Sequence, residues 1–148
     1  INMDSQAPNA AAAEFLKSRY DTVRAEVTYG NSRVDFLVQK DSRQTFVEVK
    51  GVTLERDGAM YFPDAPTERG VKHIEELIGA VREGYKGYIL FVIQMTAAKW
   101  FEPNDKTHKA FGDALRKAKK EGVHVLAATC KVTTNTLELQ DLIETKLD

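Results

Sequence analysis

The chain is short of cysteine, of long apolar runs and of net charge, and each shortage removes a class of protein. Cys130 is the only cysteine among 148 residues, which excludes an internal disulfide and any all-cysteine zinc site. Such a residue is expected to be a small buried one in a reducing cytoplasm. The longest apolar run, "YILFVIQM" at 88–95, has the length of a strand and falls far short of a membrane span. The opening "INMDSQAPN" carries neither the basic region nor the apolar stretch of a secretory signal. It also lacks an initiator methionine, so the chain is expected to be a piece of a longer protein. A formal net charge of −1 means that whole-molecule electrostatics do not announce a nucleic-acid binder, and any such binding must use a local patch. There is no glycine-rich phosphate loop and no nucleophile elbow, which leaves kinase-like and esterase-like chemistry without support. His73, His108 and His124 are scattered, without metal-ligand spacing.

What is present is a globular composition, 43% hydrophobic and 29% charged, in a length that suits one domain spanning residues 1–148. A first helix is expected from about Asn9, a good N-cap, to Tyr20, with alanines at 10–13 and Glu14 early enough to suit the helix dipole. "RAEVTYGNSRVDFLVQK" reads as two strands around a tight turn at Gly30 and Asn31, and a second turn at Lys40 to Gln44 leads into "TFVEVKGVTLE". Asp57-Gly58 marks another turn. Val71, Ile74, Leu77, Ile78 and Val81 fall on one face of a helix over 68–83. "YILFVIQM", apolar throughout, fits a strand covered on both sides. Trp100 and Phe101 directly follow it and are expected to cover the core. A third helix at roughly 106–121 turns Phe111, Leu115 and Ala118 inward and ends at Gly122, its last turns rich in lysine and arginine. "VHVLAATCKV" supplies another strand and "LEL" a short last one. The order is α-β-β-β-α-β-α-β: a mixed sheet flanked by helices, antiparallel in its first three strands and parallel where helices intervene.

The chemistry concentrates in "FVEVKGVTL", residues 46–54, where Phe46, Glu48 and Lys50 share a strand face. Taken alone, a Glu-x-Lys triplet describes the wet face of an ordinary strand. If the preceding turn centres near Asp41 to Arg43, paired residue numbers sum to about 84, which sets Asp35 across from residues 48 to 50. Two carboxylates, Asp35 and Glu48, then become neighbours across the ladder, a destabilising arrangement unless solvent or a cation relieves it. Magnesium suits such a place, since it takes oxygen ligands and keeps several waters. Lys50 is placed to orient an attacking water or to balance a phosphate, which completes a kit for phosphodiester cleavage.

Four stretches, "GNSRVDFLV", "FVEVKGVTL", "YFPDAPTERGVKHIEEL" and "GVHVLAATCKV", together resemble the sugar fermentation stimulation protein family, SfsA, from about Pro8 to Leu139. The opening "IN" followed by "PN" and "AAEFL" matches the start of that family's second domain. The resemblance implies the C-terminal domain of a longer protein, whose N-terminal domain of oligonucleotide-binding type is absent from this chain. It implies a restriction-endonuclease-like fold of the PD-(D/E)xK type, with Asp35 as the motif's aspartate, Glu48 as its second acid and Lys50 as its lysine. Val34 stands where the motif's proline would be. Glu14 matches a further carboxylate that such nucleases place on the first helix, and the carbonyl of Val49 is expected in the shell of a magnesium or manganese ion. Arg33, Arg69, Lys72 and His73 are expected phosphate contacts, with helix capping around Thr67 as the plainer reading of that region. Expected partners are DNA, with RNA as an alternative, the protein's own N-terminal domain and a second copy in a homodimer; a membrane is not among them. Two functions stay open: metal-dependent hydrolysis of DNA, and a non-catalytic DNA-binding regulator of sugar (maltose) catabolism that retains a vestigial nuclease site.

Overall fold

A computed structural model describes residues 6–133 and 136–148. The stretch of the opening before residue 6, where the "IN" of the family comparison falls, lies outside the described residues.

The first helix, α1, runs Ala7–Lys17. It starts two residues before the expected Asn9, because Pro8 is tolerated in a first turn where no amide partner is needed. Asn9 is therefore not the N-cap, and no acidic residue, Glu14 included, lies in the first turn. The helix ends at Lys17, three residues short of the expected end, and the N–H of its C-cap Ser18 reaches the Glu14 carbonyl.

Strands β1 (Thr22–Tyr29) and β2 (Ser32–Lys40) flank Gly30 and Asn31 as expected. β3 (Arg43–Val52) follows a two-residue turn in which Asp41 and Ser42 both take positive φ, 52° and 66°, the backbone twist that matches paired strands. The Asp57-Gly58 turn is real, but it joins two short strands, β4 (Leu54–Arg56) and β5 (Ala59–Phe62), that the sequence reading did not separate. Helix α2 spans Glu68–Arg82 behind Thr67, whose Oγ1 accepts from the Gly70 N–H at 2.9 Å. Next come β6 (Lys86–Ile93), β7 (Trp100–Pro103), α3 (Asp105–Lys120), β8 (His124–Val132) and β9 (Leu137–Thr145).

The sheet order is β1-β2-β3-β6-β8-β9-β7-β5-β4. β1, β2 and β3 are antiparallel neighbours, and β3, β6 and β8 run parallel. α2 and α3 cover one face, where Ile74, Leu77, Phe111 and Leu115 meet Phe46, Ile89, Phe91 and Ile93. α1 covers the other, where Ala11, Ala12 and Leu16 meet Phe36, Val38, Val47, Leu90 and Val92. The odd and even residues of β6 thus serve opposite cores, which is why its sequence is apolar throughout. Phe101 is fully buried, as expected, but as part of β7. Cys130 is buried, and burial pushes its thiol up to about 12.

Candidate metal centre

The β2–β3 ladder runs from Lys40↔Arg43 to Phe36↔Val47, so paired numbers sum to 83 and Asp35 stands opposite Glu48. The next rung would join Val34 to Val49. Instead the Val49 N–H donates to Asp35 Oδ2 at 2.7 Å, and the Asp35 N–H donates to Glu48 Oε1 at 3.2 Å. On its other side, β2 pairs with β1 at Ala25↔Phe36 and then at Val27↔Val34, passing around Glu26, whose φ is 54°. Asp35 therefore occupies an irregular point of the sheet with both flanking ladders interrupted. There its carboxylate can turn into the opening between strands. N–H and C=O of one strand residue point the same way, so the Val49 carbonyl also faces β2.

From α1, Asn9 Nδ2 donates to Asp35 Oδ1 at 3.1 Å. Gly51 permits that approach: a Cβ there would stand 2.7 Å from Pro8 Cγ and 2.9 Å from Gln94 Nε2. From α2, His73 Nδ1 lies 2.5 Å from Glu48 Oε2, and Lys50 Nζ lies 3.4 Å from the same oxygen. Lys50 Nζ is also 3.2 Å from His73 Nδ1. One ring nitrogen cannot both donate to a carboxylate and accept from an ammonium. The shorter contact assigns the proton to Nδ1, so Lys50 and His73 share Glu48 and are not bonded to each other.

The two carboxylates are held in different electrostatic states. Burial, then the neighbouring Glu48, push the Asp35 carboxyl up to about 6, against the pull of the Val49 and Asn9 donors. Burial alone would raise Glu48 too, but the His73 hydrogen bond and the charges of Lys50 and His73 outweigh it and hold the group below its ordinary value. Glu48 is 3% exposed, a buried anion with its partners in place.

Of the residues singled out from sequence, the fold brings together Asp35, Glu48, Lys50, the backbone of Val49 and His73. His73 is turned inward onto Glu48. Glu14 is exposed on α1; five residues beyond Asn9, it projects about 140° around the helix from the side chain that reaches Asp35. Arg69 and Lys72 are exposed at the start of α2, and Arg33 is exposed beside Glu26 at 4.0 Å. Sequence reasoning missed Asn9 as a partner of Asp35, because nothing local distinguishes it from a cap. Among the described residues no group of three His, Cys, Asp or Glu side chains could hold a metal. The available donors are hard oxygens: two carboxylates and a backbone carbonyl, one carboxyl raised by crowding against the other. That set fits a small divalent cation that keeps part of its water, and does not fit a thiolate- or imidazole-bound metal.

Comparison with known proteins agrees with the fold and the motifs. The domain model described as "Sugar fermentation stimulation protein RE domain" matches residues 6–136. A sugar fermentation stimulation protein homolog of Desulfitobacterium hafniense (strain Y51) is 52% identical, over 99% of this chain and 66% of its own length. One from Ruminiclostridium cellulolyticum is 48% identical, over 99% of this chain and 67% of its own length. This chain thus spans about two thirds of the length of such relatives. A structure described as Pyrococcus furiosus SfsA in complex with Ca2+ superposes with a TM-score of 0.80 at 26% identity, covering 92% of this chain and 60% of that one. That likeness bears out the mixed α/β, nuclease-like fold. The chain belongs to the sugar fermentation stimulation protein family, within its RE-type domain.

Proposed function

We propose that this domain is a metal-dependent phosphodiesterase of nuclease type acting on DNA. The carrying observation is the interlocked carboxylate pair, Asp35 and Glu48, at the interruption of the β2–β3 ladder. In this reading Asp35, Glu48 and the Val49 carbonyl hold magnesium or manganese; the Ca2+ of the Pyrococcus relative's structure supports an oxygen-ligated divalent site. Such an ion, when bound, polarises a phosphate and lowers the pKa of a bound water. Asn9 and the Val49 amide keep the Asp35 carboxylate aimed into the opening. Lys50, 15% exposed at the edge of the pair, presents its ammonium to a phosphate oxygen or to the attacking water. In this reading Arg69 and Lys72, exposed and outside any ion pair among the described residues, hold the backbone of a nucleic acid. Glu14 has no part in this arrangement. The relatives are longer than this chain, which supports a further domain in the whole protein; in this reading that domain is N-terminal and of oligonucleotide-binding type. A cytoplasmic location belongs to the same reading; among the described residues no helix is long and apolar enough to cross a membrane.

The test is incubation of DNA with manganese beside a Glu48→Ala control. Cleavage by the parent and its loss in the variant are expected; equal cleavage by both, or none by either across single- and double-stranded substrates, refutes hydrolysis. One observation favours a second reading, a DNA-binding regulator with a vestigial site: His73 and Lys50 already satisfy Glu48 Oε2. That reading expects salt-dependent DNA affinity that survives Asp35→Ala and Glu48→Ala.

A further inference from the structure

Resting on the metal-site reading above, we propose that His73 is a positioning residue for Glu48, holding its Oε2 so that Oε1 stays on the Asp35 side and Lys50 stays available to phosphate. Three elements converge on Glu48: β2 through the Asp35 amide at Oε1, and β3 through Lys50 together with α2 through His73 at Oε2. The two claims on Oε2 are unequal. His73 Nδ1 is at 2.5 Å, the closer contact, and its hydrogen bond helps to hold Glu48 low, while Lys50 Nζ stands off at 3.4 Å. An imidazole N–H is a single directed donor carried on a short, two-torsion side chain. A lysine ammonium is a rotatable point charge on a flexible stem.

The helix that carries His73 is anchored firmly. Its neighbour Ile74 is 1% exposed, as are Leu77 and Ile78, and Thr67 caps the first turn at the Gly70 amide. A rigid helix thus delivers a directed donor to the oxygen of Glu48 that points away from Asp35. Without it, the nearest cation for Oε2 is Lys50, two residues along the same strand face. Lys50 would then close onto Glu48, drawing the carboxylate away from Asp35 and losing its own place toward the substrate. A ligand carboxylate that is itself hydrogen-bonded is the usual condition for a well-oriented metal site.

The test compares His73→Ala, His73→Asn and Lys50→Met in the same 148-residue chain. An asparagine amide nitrogen falls near the position of the imidazole Nδ1 and restores the donor; alanine does not. Manganese affinity is read by titration of free Mn2+, without DNA, and thermal melting confirms that each variant is folded. His73→Ala is expected to weaken Mn2+ binding about 10-fold or more, with His73→Asn recovering most of the loss. Lys50→Met is expected to leave affinity unweakened. A folded His73→Ala protein that binds Mn2+ like the parent overturns the proposal. So does an equal loss in Lys50→Met, which would make the lysine the holder of Glu48. If the parent itself binds no Mn2+, the metal-site reading falls and this inference falls with it; if the parent binds and only the His73 series is flat, the reading stands alone.

Discussion

Replacing Asp35 by asparagine should make the metal-free protein more stable at neutral and alkaline pH, although it destroys the proposed ligand. The Asp35 carboxyl titrates near 6 in the fold against an ordinary value of 3.8, because it is buried and faces Glu48. The native state therefore keeps this proton to higher pH than the unfolded chain does. The stability it contributes is fully present below 3.8 and is lost as pH rises through 6. A shift of that size corresponds to about 3 kcal/mol between the two limits, and water reaching the half-buried carboxylate reduces it to about 2. Asparagine is neutral at every pH and escapes this loss. It keeps an acceptor for the Val49 amide, at a cost of about 1 kcal/mol for replacing a charged acceptor by a neutral one. The stability difference, variant minus parent, should therefore grow by about 2 kcal/mol from pH 4 to pH 8 and level off above about pH 7. Urea unfolding in a chelator, followed by far-UV circular dichroism and by the fluorescence of Trp100, the only tryptophan, gives the difference at each pH. A difference that is flat across the range, or that shrinks with pH, refutes the electrostatic account of the pair.

Other perturbations test the supports of the site. Asn9→Ala removes one donor from Asp35 Oδ1 and should cost about 1 kcal/mol at pH 8 but less at pH 4, measured by the same unfolding series. Gly51→Ala must push both Pro8 and Gln94 aside and should cost about 1–3 kcal/mol; a weakened Mn2+ affinity would show that the α1 start, and Asn9 with it, had shifted. Manganese at 100 times its dissociation constant should stabilise the parent by about 2.7 kcal/mol, a rise in melting temperature absent from Asp35→Ala. Phe91→Ala, in the core between sheet and helices, should cost about 3–5 kcal/mol by urea unfolding.

Much of the α2 and β6 architecture was legible because its signals are local and strong. The 3.6-residue spacing of Ile74, Leu77 and Ile78 and the unbroken apolar run of β6 each have one physical reading once both faces of the sheet are covered. The register was legible to one residue, since a turn over 40–44 permits pairs that sum to 83 or 84, and either places Asp35 against Glu48 or its neighbour. The strands that escaped are those that lack such signals. β9 is largely exposed, so "LELQDLIET" shows little contrast between faces, and only its first three residues stood out. β5 and β7 are four residues each and pair with one another in parallel, a long-range fact invisible in either stretch.

The site divides along the same line. Asp35, Glu48 and Lys50 sit on adjacent strands joined by a two-residue turn, so sequence spacing converts directly into distance. Asn9 and His73 come from helices on opposite faces of the sheet, 26 residues before Asp35 and 25 after Glu48, and only the packed fold brings them in. That division has a chemical consequence. The two strands place the charges, and two carboxylates so placed repel. The two helices hold them there, Asn9 on the carboxyl raised to about 6 and His73 on the one held low. Removal of either helix contact should therefore alter the balance between the carboxylates before it alters the sheet that carries them.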